Sequence, residues 1–113
     1  MAKEIDQQLD DILNIESDIK KKTEIVKVPE RSKNIETDYR YARENLYGLV
    51  ERGQDAIDGI LQLSKETEHP RAYEVAGQLI KTVGETAEKL IDLQQKLKKL
   101  EDEEQKVGTQ HNH

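Results

Sequence analysis

Residues 71–106 read RAYEVAGQLIKTVGETAEKLIDLQQKLKKLEDEEQK, and this stretch decides the fold. Ala76, Val83, Leu90 and Leu97 recur at seven-residue intervals, with Leu79, Thr86, Leu93 and Leu100 three places after each. Positions that alternate three and four apart fall on one stripe of an α-helix and on no single face of a strand. Ile80, Ala87 and Ile91 widen the stripe, so the helix has enough apolar surface for a hairpin partner and for a neighbouring subunit. At about 1.5 Å per residue such a helix is roughly 50 to 55 Å long.

Just upstream, Thr67 to Pro70 (TEHP) interrupts the pattern. Proline suits the first position of a new helix, because its missing N–H has no intrahelical partner there. Before the break, Ala42, Leu46, Leu49, Val50, Ile57, Ile60, Leu61 and Ser64 trace one face of another long helix. Thr37 is its expected N-cap, with Asp38 favoured in the first turn, and its end falls near residue 66. Two long helices joined by a tight turn predict an antiparallel, coiled-coil-like hairpin. Gly48, Gly53 and Gly59 lie inside the first of them, each costing roughly 1 kcal/mol relative to Ala. Either local bending or a weak helix, or else the close approach of a neighbouring helix, accounts for them.

Towards the N-terminus, Ile5, Leu9, Ile12, Leu13 and Ile19 predict a short amphipathic helix over residues 4–22. It is acidic at its start and ends in Lys20, Lys21 and Lys22, as the helix dipole favours. Residues 23–36, which include Pro29, read as a linker. Lys20, Lys21, Lys22, Lys27, Arg31 and Lys33 face only Glu24 and Glu30 over this stretch. The expected organisation is an N-terminal helix with a basic linker over 1–36, a hairpin over 37–106 and a polar tail over 107–113.

Composition sets the bounds. A chain of 113 residues allows one domain, and 34% apolar with 37% charged residues is the profile of long exposed helices. A lone copy would be poorly stabilised, so self-association is expected, with Leu46, Leu49, Leu79, Val83 and Leu90 as the hairpin and subunit contacts. The absence of cysteine excludes disulfides and thiolate metal sites, and is compatible with a reducing cytoplasm. No signal core or membrane span is readable, so no membrane association is expected. A net charge of −6 argues against indiscriminate coating of nucleic acid. The six cations between Lys20 and Lys33 remain the one candidate for phosphate contact, by pairing with DNA and releasing counterions.

Catalytic patterns are missing. No phosphate-binding glycine loop occurs, and Glu66 with His69 gives a single E-x-x-H where a di-metal bundle needs two. His69 is better read as part of a turn, and His111 and His113 as tail residues. The expectation is a protein that is not an enzyme and holds no metal or cofactor. Tyr39, Tyr41, Tyr47 and Tyr73 are expected in the core or at an interface, not as platforms for stacking bases.

Three segments carry a family resemblance: Tyr41–Tyr47 (YARENLY), Gly53–Leu61 (GQDAIDGIL) and His69–Leu79 (HPRAYEVAGQL). In this order and at hairpin-compatible distance they resemble the central domain of small terminase subunits of T-even-like tailed bacteriophages, over about residues 38–104. The resemblance implies hairpins assembled side by side into a homo-oligomeric ring in the cytoplasm of the infected bacterial host. It implies the role of recognising concatemeric, double-stranded viral DNA and regulating a large subunit that carries the ATPase and nuclease. It also implies an N-terminal segment that contacts DNA and a C-terminal tail that contacts the large subunit. A ring of weak arms would gain avidity from their number. The competing reading is a coiled-coil oligomeric adaptor that binds only protein.

Overall fold

A computed structural model describes residues 2–27, 29 and 34–111, with side chains over 4–27, 29, 34 and 36–103. Three helices follow one another, α1 (Ala2–Ile25), α2 (Ile35–Thr67) and α3 (Pro70–His111). No strand occurs among the described residues, as the helical periodicity requires. The molecule is a rod measuring 73 × 20 × 15 Å with a radius of gyration of 19.3 Å, against about 13 Å for a compact domain of this size.

The turn between the long helices sits where the sequence broke. Glu68 takes the left-handed conformation at φ 50 and its N–H donates to the Ser64 carbonyl at 2.9 Å, closing α2. A non-glycine residue pays roughly 1 to 2 kcal/mol for that conformation. His69 then precedes Pro70, and its Nδ1 accepts the backbone N–H of Arg71 at 3.2 Å. This satisfies one of the donors that the start of α3 leaves without an intrahelical partner. His69 is thus a helix cap at the turn.

From this turn outwards, positions rising along α3 meet positions falling along α2. Ile60 clusters with Ala72, Val75, Ala76 and Leu79. Gly53 meets Val83, and the Gln94 amide donates to the Tyr47 hydroxyl at 3.1 Å. The apolar interior forms two clusters along the rod. One, beside the turn, is built on Leu9, Ile60, Leu79 and Val83, and the other on Ile19, Tyr39, Leu46, Leu90 and Leu93. Leu9 and Ile19 show that α1 contributes to both.

The sequence reading ended α1 at residue 22 and began α2 at Thr37; the structure moves both bounds. α1 continues to Ile25 because α3 supplies a cap that local sequence does not encode. The Lys89 ammonium donates to the Thr23 carbonyl at 2.5 Å, serving an orphan acceptor at the negative end of the helix. Thr23, expected in a linker, is buried. At the start of α2 the cap position belongs to Asn34, whose carbonyl accepts the Asp38 N–H at 2.9 Å, and Thr37 lies within the helix.

A line of hydroxyls fixes α1 against α3. Thr23 Oγ1 lies 2.7 Å from the Ile19 carbonyl and 2.8 Å from Thr86 Oγ1, while Thr86 Oγ1 lies 3.1 Å from the Thr82 carbonyl. Each hydroxyl has one proton. With the Thr23 proton committed to Ile19, Thr86 must donate to Thr23 and share that proton with Thr82 at longer range. Thr82 in turn donates to the Glu16 carboxylate at 2.6 Å. A fully satisfied polar seam of this kind sets the register of α1, which an apolar stripe alone leaves free to slide.

Close approach of a neighbouring helix explains one of these three glycines. A Cβ at Gly53 would overlap Val83 Cγ2, with Val83 Cβ at 3.4 Å, so close helix approach accounts for it. Gly48 and Gly59 meet nothing within 4 Å, and no contact within the chain requires glycine there.

Candidate functional site

The described cations of the basic segment gather around the C-terminus of α1, which lies beside Thr86 and Lys89, part-way along α3. Lys20 and Lys21 are exposed on its last turns, Lys27 is exposed just beyond it, and Lys22 spends part of its charge on Asp18 at 3.1 Å. Arg31 and Lys33 lie outside the described residues. The acids of the first half of α1 are drawn the opposite way, since Arg71 at the start of α3 approaches Asp6 at 3.8 Å and Asp10 at 3.6 Å. Charge is therefore segregated along α1, with the acidic half anchored near the turn and the basic half at the far end.

Asp18 marks the boundary. Its Oδ2 accepts from Arg52 of α2 at 2.5 Å and lies 3.1 Å from Lys22 Nζ. The hydrogen bond from Arg52, then that from Lys22, lower its pKa from the ordinary 3.8. The folded state therefore prefers the ionised form. The contribution is fully present above the unfolded value of 3.8 and disappears as pH falls through the lower folded value. Asp18→Asn is expected to lower the melting temperature at neutral pH, and the gap from the parent chain should close in strong acid. A gap that persists there would mean that packing, not charge, holds Asp18.

Beside the lysines, the fold opens a groove of about 700 Å³ between the end of α1 and the first half of α2. Lys22 and Lys27 rim it, Asp38 and Asn45 add polar edges, and Ile25, Tyr41 and Leu49 line it. Tyr41 is 68% exposed. The sequence reading placed the tyrosines in core or interface. In the fold Tyr39 alone of the four is buried, and Tyr41 lines the same groove as Lys22 of α1 and Lys27 just beyond it. No linear pattern signals this, because Tyr41 and Lys22 belong to different helices.

Leu46, Leu49, Leu79, Val83 and Leu90, expected as hairpin and subunit contacts, are all buried inside the single chain. Their apolar surface is already used in packing α2, α3 and α1 together. The large apolar side chains left outside include Leu61, Ile80 and Ile91 with Tyr47 and Tyr73.

Among the described residues no three carboxylate, histidine or cysteine side chains converge as a metal site. No described helix is long and apolar enough to cross a membrane. No curated protein and no solved structure matches the chain. A family model described as Terminase DNA packaging enzyme matches residues 11–112, which spans α1 from residue 11 onward and the whole of α2 and α3. The chain belongs to this terminase DNA-packaging family and has a role in viral DNA packaging.

Proposed function

We propose that this chain is the small terminase subunit of a T-even-like tailed bacteriophage. In this reading it is a ring of antiparallel hairpins without catalytic activity of its own. It recognises concatemeric viral DNA and regulates the large subunit's ATPase and nuclease, in the cytoplasm of the infected host. The opposed order of contacts along α2 and α3 supports the hairpin as the repeated unit. The observation that carries the DNA half is the exposed cluster of Lys20, Lys21 and Lys27 at the C-terminal end of α1 in a chain of this family.

An acidic chain with a net charge of −6 repels DNA as a whole, so binding needs the cations concentrated and repeated. A ring meets both conditions, repeating one basic cluster per copy at a common level and multiplying weak phosphate contacts. Tyr41 beside Lys22 and Lys27 adds an apolar, aromatic edge that can rest against sugar or base.

The test is a titration with double-stranded DNA at several salt concentrations. The parent chain should bind with a steep salt dependence, each phosphate contact adding about 0.9 to the slope of log affinity against log salt. Lys20→Glu, Lys21→Glu and Lys27→Glu together should weaken binding at least about tenfold and flatten that slope. Lys22 is left in place because it holds Asp18. Unchanged binding would remove these lysines from the DNA contact, and no binding at any salt would favour an adaptor that recognises only protein.

A further inference from the structure

A phosphate-binding cluster at the C-terminus of a helix stands at the unfavourable pole. The carbonyls of a last turn have no intrahelical partner and together carry the equivalent of about half a negative charge, which repels an anion where a helix N-terminus would attract it. α1 ends at Ile25, and Lys20, Lys21 and Lys27 all lie within four residues of Thr23. The three lysines therefore surround that pole.

A cation from another helix meets it. Lys89 of α3 is half-buried, whereas Lys20, Lys21 and Lys27 are exposed. Its ammonium donates at 2.5 Å to the Thr23 carbonyl, which also accepts the Val26 N–H at 3.3 Å and so closes α1. No described carboxylate is ion-paired with Lys89, and its charge falls undiminished on the end of α1. Thr86, one turn earlier on α3, is buried and joined to Thr23 Oγ1 at 2.8 Å, which holds Lys89 and the Thr23 carbonyl face to face. On the reading that the three exposed lysines contact DNA, we propose that Lys89 is a positioning residue for that contact. It does not touch the phosphate; it cancels the negative pole of α1, so that a backbone phosphate can rest among Lys20, Lys21 and Lys27. The field of a helix pole fades within its last turn, and that turn is the one these lysines flank. Lys89 thus sets how tightly phosphate is held without adding to the number of phosphates bound.

The test is a titration of the full chain with double-stranded DNA at several salt concentrations, with helicity recorded for every variant. Lys89→Met keeps the apolar stem and removes the ammonium, and should weaken binding about three- to tenfold at low salt. The slope of log affinity against log salt should change by less than half of the ~0.9 that one lost phosphate contact removes. Lys89→Gln, which keeps a donor and loses only the charge, should weaken binding in the same way and serves where methionine disturbs the helix. Lys89→Arg should bind within about twofold of the parent, as should Thr86→Val, which loosens the same joint but leaves the charge in place. A slope reduced by the full ~0.9 in Lys89→Met would make Lys89 a direct phosphate ligand, and unchanged affinity would show that the pole does not reach the phosphate. Either result overturns this role of Lys89 while the DNA reading stands. An equal loss in Thr86→Val overturns it too, by assigning the effect to a loosened α1. A parent chain that binds no DNA at any salt overturns both.

Discussion

Leu79→Asp is expected to unfold the chain, not merely to disassemble it. Leu79 is 0% exposed and packs with Leu9, Ile60 and Val75, so all three helices meet around it. Truncating such a leucine to alanine costs about 2 to 5 kcal/mol, and an unpaired carboxylate there adds its desolvation. Against a total stability of about 5 to 15 kcal/mol for a small domain, little folded population would remain. Val83 and Leu90, with 7% exposure each, should behave in the same direction. Far-UV circular dichroism and urea denaturation provide the check, with Ile80→Asp as the control one residue away on the open face. Ile80→Asp should keep its helicity. A Leu79→Asp chain that melted like the parent but sedimented as a smaller species would show that Leu79 faces a neighbouring copy.

Gly53→Ala is expected to destabilise the chain by about 1 to 2 kcal/mol, although alanine is the better helix former by roughly 1 kcal/mol. The added methyl overlaps Val83 Cγ2, and the β-branched valine has little freedom to turn aside. Val83→Ala should relieve the overlap, so that the double variant is more stable than the sum of the single effects allows. Gly59→Ala, in open space, should stabilise by up to about 1 kcal/mol. Equal gains at both positions would show that α2 and α3 do not approach as closely at Gly53 as the structure has them.

These contrasts define what the sequence could disclose. The repeat from Ala76 to Leu100 places α3 unaided, because a heptad pattern is local and a helix is the only element that gathers it on one side. Pro70 places the turn for an equally local reason. A seam of leucines does not say who covers it: Leu46 or Leu79 would look the same against its own hairpin or against a neighbour. Only the packed chain separates that inner seam from the stripe of Ile80 and Ile91. The end of α1 was misplaced because its cap, Lys89, stands 66 residues away from Thr23. The basic segment was readable as a run of charge. Its aromatic neighbour Tyr41 was not, since the groove exists only once α1 lies along α2.

The tether of α1 has a kinetic meaning. α2 and α3 are separated by the short break at Glu68 and His69, so their pairing can close at the turn and zip outwards, each step requiring little chain to be gathered. The bonds that hold α1 to α3 span 63 to 66 residues, and they form only after a framework exists to receive them. α1 is therefore the last segment to arrive, and its basic end takes its place only once the paired α2 and α3 can receive it.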